Sequence, residues 1–387
     1  MNKIISMVLA VVIMICATSV SATAEGINSK ESLQKAISFT ADILFADDEP
    51  TYMDEWYILA LARSGENSVT GLLDTYYRNA EQDIIEKEGR YTDYSGVESL
   101  GEYVRVALTL TAMNKDIRSF GGYDLLDKIT KMDFSAYEQS STSTLSYTLK
   151  LIEFYEDEIE NTDELKNAII DEMMTRYIDD TGFTYMLGEW VAVESDTTAQ
   201  ALQSLVFYYD YSDEVAKAVE NSMHYLKEQQ NHEDGAIMSW DASNPNSTAQ
   251  MIITASMIGK DVFDYFTTDN GKTLLDGLLA FVREDGGFYE PYYGADAGSD
   301  YYATSQALQA LVAYDRMVSG KTDLFDFTDL SEQKEETIIT DTTKVTKPNT
   351  IGGAPKTGDT SSVGVVSLIL AVALMSAFVV RKSRDEE

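Results

Sequence analysis

The sequence predicts an all-α fold, an α/α toroid of six helical hairpins with inner and outer helix layers. Three observations predict it. First, the stretches around Thr198-Ala199-Gln200, Thr248-Ala249-Gln250 and Thr304-Ser305-Gln306 share one register, with weaker copies at Trp56, Arg105 and Ser146. The register points 56, 105, 146, 200, 250 and 306 recur about every 50 residues, the period of stacked helix pairs. Second, Leu202, Leu205, Val206 and Tyr209 follow the i, i+3, i+4, i+7 spacing of one helix face, and Leu308, Leu311 and Val312 repeat it. Third, Gly65, Asn114 and Gly259 stand nine residues past a register point, where Gly and Asn tolerate the left-handed residue that ends a helix.

Each register point therefore opens a helix rich in Ala, Ser and Thr, suited to close packing. Asp196, Asn246 or Ser247, and Asp300 are the expected caps. A second helical segment precedes most of these, at 33–45, 72–85, 163–177, 213–230 and 272–283. Its surface charges, such as Glu214, Lys217, Glu220, Lys227 and Glu228, mark an outer layer. Stacked hairpins extend as a solenoid or close into a ring; six pairs is a count at which rings close. Strand content is expected to be very low.

The two ends read as addresses. Residues 1–24 form a signal peptide: Lys3, an apolar run over 4–15, and Ala22-Thr23-Ala24 before Glu25. The body spans 28–328, and a linker rich in Thr and Lys spans 329–353. At 354–387, Ala354-Pro355-Lys356-Thr357-Gly358 precedes an apolar, transmembrane-type run over 363–380 and a basic tail, Arg381-Lys382-Ser383-Arg384. This order resembles the sorting signal of Gram-positive surface proteins. The resemblance implies cleavage by sortase between Thr357 and Gly358 and attachment to peptidoglycan, with the body outside the cell.

Charge narrows the chemistry. The 387 residues include 65 acidic and 29 basic ones, a net charge of -36. The segment between the two addresses keeps all of that excess. A nucleic-acid binder needs the opposite balance. The one Cys, Cys16, lies in the signal segment, so neither a disulfide scaffold nor a thiolate metal site is expected.

Tyr225-Leu226-Lys227-Glu228-Gln229-Gln230-Asn231-His232-Glu233-Asp234-Gly235, with Trp240 beyond, resembles the glutamine–tryptophan repeat of terpenoid cyclases and protein prenyltransferases. Asp285-Gly286-Gly287-Phe288 and Thr181-Gly182-Phe183 resemble degenerate copies. The resemblance implies the toroid, which cobalamin carriers share. It does not carry the activities across. Where class II cyclases have Asp-x-Asp-Asp, this chain has Glu194-Ser195-Asp196-Thr197, without the acid pair. Prenyltransferases need Asp, Cys and His for zinc; here only His224 and His232 stand near the repeat, on or just after an outer helix. Cobalamin carriers close a β domain over the ligand, and no such domain is expected after Phe327. No cofactor and no metal is expected.

What stands out is an aromatic and acidic set in the inter-helix loops. Trp190 and Trp240 each stand ten residues before a register Gln, which puts them on one face. Tyr292, Tyr293 and Tyr301 fall near the corresponding place in the last repeat. Exposed rings beside carboxylates suit sugars, or cations through cation–π contact; alternatively they plug the centre of the ring. The expected function is a non-catalytic surface module that binds a neutral or cationic glycan, peptide or small molecule. The alternative is an (α/α) glycoside hydrolase using two of Asp241, Glu290, Asp296 and Asp300. A purely structural module is a third. A lyase acting on uronates would need cations that this composition lacks.

Overall fold

A computed structural model describes residues 29–46, 48–188 and 191–330. The signal peptide, Trp190, the linker beyond Leu330, the 363–380 run and the Thr357–Gly358 bond lie outside the described residues. Among the described residues, no helix is long and apolar enough to cross a membrane.

Six inner helices are α2 (Glu55–Ser64), α4 (Leu100–Ala112), α7 (Thr142–Phe154), α9 (Ser195–Leu205), α11 (Pro245–Ile258) and α14 (Tyr301–Val318). Each follows an outer segment: α1 (Ser29–Phe39), α3 (Thr70–Glu86), α5 (Leu125–Thr130) with α6 (Phe134–Glu138), α8 (Thr162–Met174), α10 (Asp213–Glu228), and α12 (Lys260–Tyr265) with α13 (Leu274–Leu279). Among the described residues the strands form two antiparallel two-residue hairpins, β1 (Tyr177–Ile178) with β2 (Gly182–Phe183) and β3 (Met238–Ser239) with β4 (Ala242–Ser243).

Burial separates the layers. On α10 the buried side chains are Val215, Ala218, Val219, Ser222, Met223 and Leu226, one stripe of an amphipathic helix. On α11 every residue but Asn246 is buried. A helix buried on all sides must satisfy its polar side chains internally. Thr254 Oγ1 donates to the Ala199 carbonyl at 2.8 Å, and Ser146 Oγ to the Gln200 carbonyl at 2.7 Å. Gln203 donates to Gln250 at 2.9 Å and Gln250 to Gln306 at 3.0 Å, a ladder across three inner helices.

The Thr-x-Gln signature has a structural cause. Thr198, Thr248 and Thr304 accept the backbone N–H of Phe183, Ile237 and Phe288 at 2.9–3.0 Å. The threonine thus fastens the incoming turn to its inner helix, while Gln250 and Gln306 tie neighbouring inner helices together. The expected helix ends hold: Gly65, Asn114 and Gly259 all have positive φ.

Three expectations change. The cap of α9 is not Asp196: Glu194 occupies that position without a capping bond, and Asp196 accepts the N–H of Thr197 at 2.9 Å. Asn244, not Asn246 or Ser247, caps α11, because Pro245 takes the first turn and moves the start earlier. The outer segment expected at 272–283 shortens to α13, where Gly277 passes so close to Ala236 that a Cβ would lie 2.2 Å from its nitrogen. Asp300 caps α14 as expected, accepting from Ala303 N at 2.8 Å.

The ring closes. Helix α14 packs on α2 and α1. Tyr57 OH donates to the Tyr301 carbonyl at 2.7 Å across the seam. Trp56 and Tyr147 meet across the bore at 4.9 Å, and Phe325 packs on Tyr147 at 5.3 Å. Leu324, Phe325 and Phe327 are buried and seal the end of the ring where the inner helices finish. The opposite end, where all six inner helices begin, is the entry face.

Candidate functional site

The loops of the entry face carry most of the aromatic rings that stay in water. Trp240 is 82% exposed and Tyr292 87%. Tyr94, Tyr185, Tyr293 and Tyr302 are exposed on loops leading into α4, α9 and α14, or on the first turn of α14. The rings that plug the bore are others: Trp56, Tyr147 and Phe325. Tyr292 and Tyr293 pack edge to face at 5.2 Å.

Trp240 and Asp241 form the tip of the β3–β4 hairpin, with φ of 51° and 64°. Two successive positive φ values suit an Asn-Gly pair, because a Cβ in the left-handed region costs about 1–2 kcal/mol per residue. The tip of the β1–β2 hairpin, Asp179 and Asp180, also has two successive positive φ values, so the tight turn accounts for the backbone; what is particular to this tip is the indole left in solvent.

The four carboxylates of the hydrolase alternative separate. Glu290 accepts from Asn246 Nδ2 at 2.9 Å and from the Tyr292 N–H at 3.3 Å, which caps a short 3-10 turn. Asp300 caps α14, and its charge reaches Glu290. No hydrogen bond or ion pair among the described residues joins Asp241 or Asp296 to that pair. Tyr301 belongs to the seam: its hydroxyl donates to Asp54 at 2.6 Å and its ring packs on Tyr57 at 4.9 Å. His224 and His232 lie on the surface, His224 beside Glu228 at 3.1 Å. No group of three or more metal-ligating side chains occurs among the described residues.

A cavity of about 590 Å³ opens on the same face between α4 and α7. Sequence reading missed it. Its signal was present, since Trp56 and Arg105 are register residues and Tyr94 and Tyr185 stand in register loops. Arg105 and Glu102 line it. Arg105 Nε donates to Glu55 at 2.7 Å and Nη2 to Glu102 at 2.5 Å, so both carboxylates hold the guanidinium. Tyr76 OH also donates to Glu55, at 3.0 Å. Burial pushes the Glu55 carboxyl up, against the pull of Arg105. A groove of similar size between α5 and α8 is lined by acids, aliphatics, Arg118 and Lys131, with no ring among its lining residues.

Burial pushes the carboxyls of Glu194, Asp196, Glu290 and Asp323 up; nearby Asp196, Asp300 and Asp326 charges add to this at Glu194, Glu290 and Asp323. The folded values lie above the unfolded ones, so the folded chain holds more protons. That contribution to stability is full below the unfolded values of about 4 and is lost as pH rises through the folded values. Relief of self-repulsion acts in the same direction. Thermal unfolding at pH 5 should therefore lie above that at pH 7.5; the opposite order would mean that ionised carboxylates stabilise the ring.

No protein-family model matches the sequence, and no curated protein resembles it significantly in sequence. The fold is similar to that of a solved structure described as the polysaccharide lyase BACCELL_00875, with a TM-score of 0.51 and 10% identity. The match covers 75% of this chain and 98% of the other. At that identity the likeness is one of fold. The chain is an all-α toroid whose entry face gathers exposed aromatic rings and carboxylates.

Proposed function

We propose that the chain is a surface-attached toroid that binds a carbohydrate chain across its entry face. The observation that carries this reading is Trp240, an indole 82% exposed at a hairpin tip on the entry face. An indole held out in water offers a flat apolar face on which the C–H face of a sugar ring can stack. Tyr292, Tyr293, Tyr94 and Tyr185 extend the same aromatic surface. The similarly folded protein is named a polysaccharide lyase, which favours sugars over peptides as the ligand class. Lyase chemistry itself gains no support, because Arg105 is held by Glu55 and Glu102 and is not free to neutralise a uronate. Hydrolysis stands second: Glu290 and Asp300 are both committed to caps.

In this reading residues 1–24 export the chain, and sortase joins Thr357 to peptidoglycan after cutting before Gly358. The net charge of -36 keeps the tethered body soluble and disfavours anionic polymers. The likeness to terpenoid cyclases and prenyltransferases extends to the repeat and not to their acid pair or zinc ligands.

Titration of the full chain against a panel of neutral and cationic oligosaccharides tests this. Trp240→Ala combined with Tyr292→Ala should weaken binding by about 10-fold or more while leaving the urea midpoint unchanged, since both rings are exposed. Absence of binding to any glycan in the panel would sink the proposal. Release of reducing ends by the wild type, lost in Glu290→Gln, would replace it with the hydrolase.

A further inference from the structure

We infer that the cavity between α4 and α7 selects a hexosamine whose amino group is free and protonated, an inference that rests on the carbohydrate reading above. Three features of the cavity point to this sugar, and they are independent of one another. The first is size. At about 590 Å³ the cavity falls within the range of small-ligand sites. The second is its lining of hydroxyls: Ser99, Ser135, Ser140, Ser141, Ser143 and Thr144 border it, and Tyr94 and Tyr185 stand at its lip. Hydroxyls and aromatic faces together match a pyranose, which has polar edges and an apolar C–H face.

The third feature is charge. Asp93, Glu98 and Glu102 line the cavity against Arg105 alone. Glu102 lies between Arg105 and the Tyr52 hydroxyl. Glu98 is exposed; it accepts from Tyr103 OH at 2.6 Å, pairs with Lys128 at 3.4 Å and lies within reach of the Arg90 charge. Arg105 is already answered by the buried Glu55. The N-termini of α4 and α7 add about half a positive charge each, and Glu102 sits in the first turn of α4. Among the lining residues three carboxylates face one guanidinium, within a body that is itself strongly acidic. An ammonium placed beside Glu98 and against the Tyr94 ring would gain both ion-pair and cation–π contact. An N-acetylated sugar of the same shape gains neither.

The test titrates the full chain by calorimetry with a β-1,4-linked glucosamine hexamer and with its fully N-acetylated counterpart, at low salt and in about 0.5 M NaCl. The amine form should bind about 10-fold tighter or more at low salt, and the gap should shrink in high salt. Glu98→Lys, with an unchanged urea midpoint as the check on folding, should abolish the preference; Glu98→Gln with Glu102→Gln should reduce it. Equal binding of the two hexamers overturns the amino-sugar inference and leaves carbohydrate binding standing. A preference that persists undiminished in Glu98→Lys also overturns it, because the selecting site is then elsewhere. If neither hexamer binds, the inference falls; if no other glycan binds either, the carbohydrate reading falls with it.

Discussion

Replacing Arg63 with Ala should destabilise the toroid by about 3–5 kcal/mol, the range for breaking a buried charged pair. Arg63 is 1% exposed and forms the clasp of the ring. Its guanidinium donates to Asp329 at 2.9 Å, to the carbonyls of Asp323 and Asp326 at 2.8 and 2.7 Å, and to the Thr322 hydroxyl at 2.9 Å. Arg316 donates to the Arg63 carbonyl and to the second oxygen of Asp329. Two guanidinium groups thus bind the sealing segment to the first and last inner helices at once. Alanine removes four hydrogen bonds and the packing of the guanidinium on Phe327. The Asp323 carbonyl loses that donor in a half-buried segment, while the Asp326 carbonyl keeps the Thr322 hydroxyl. Urea unfolding reads the loss as a lower midpoint. Arg63→Lys keeps the charge without the planar fork and should recover less than half of it. A loss below about 1 kcal/mol for the Ala variant would mean that the segment over 320–330 does not hold the ring closed.

Gly286→Ala should cost about 2–5 kcal/mol, summing left-handed strain and overpacking. The backbone here has φ of 95°, and an added Cβ would lie 2.5 Å from the carbonyl oxygen of Lys35. Lys35 belongs to α1, so this glycine is where the last turn docks against the first outer helix. A clash with backbone has no rotamer to relieve it. Gly122→Ala is the comparison: its φ of 86° imposes similar strain, and nothing lies within 4 Å of an added Cβ. The excess loss at Gly286 over Gly122 measures the seam contact. Equal losses would show that strain alone matters and that the seam yields freely.

These two positions differ in how far the sequence announces them. Gly286 belongs to a repeated Asp-Gly turn whose other copy, Gly235, also docks against the next outer helix, so its role is local and recurs. Arg63 does not recur. It acts through residues more than 250 positions away, and no local pattern marks such a partner. The same distinction runs through the site. Trp240 is legible because it stands at a fixed offset from Gln250, in a loop whose register the repeats establish. Tyr301 shares the composition of its neighbours but serves the seam, because ring closure brings Asp54 and Tyr57 against it. The capping expectation at Asp196 fails by two residues, since the end of a helix depends on how the incoming turn is fastened to it. The cavity beside Arg105 has walls from α2, α4, α6, α7 and adjoining loops, an assembly that no single repeat announces.

The layers, the repeat, the helix ends at Gly65, Asn114 and Gly259, and the acidic character of the body are all legible in the order of residues. These follow from periodicity, backbone tolerance and composition, which act over a few residues or over the whole chain. Which rings face water and which fill the bore, which acids are caps, and where a cavity opens follow from the assembled ring. Those properties depend on contacts between helices tens to hundreds of residues apart, and such contacts exist only once the first and last hairpins meet.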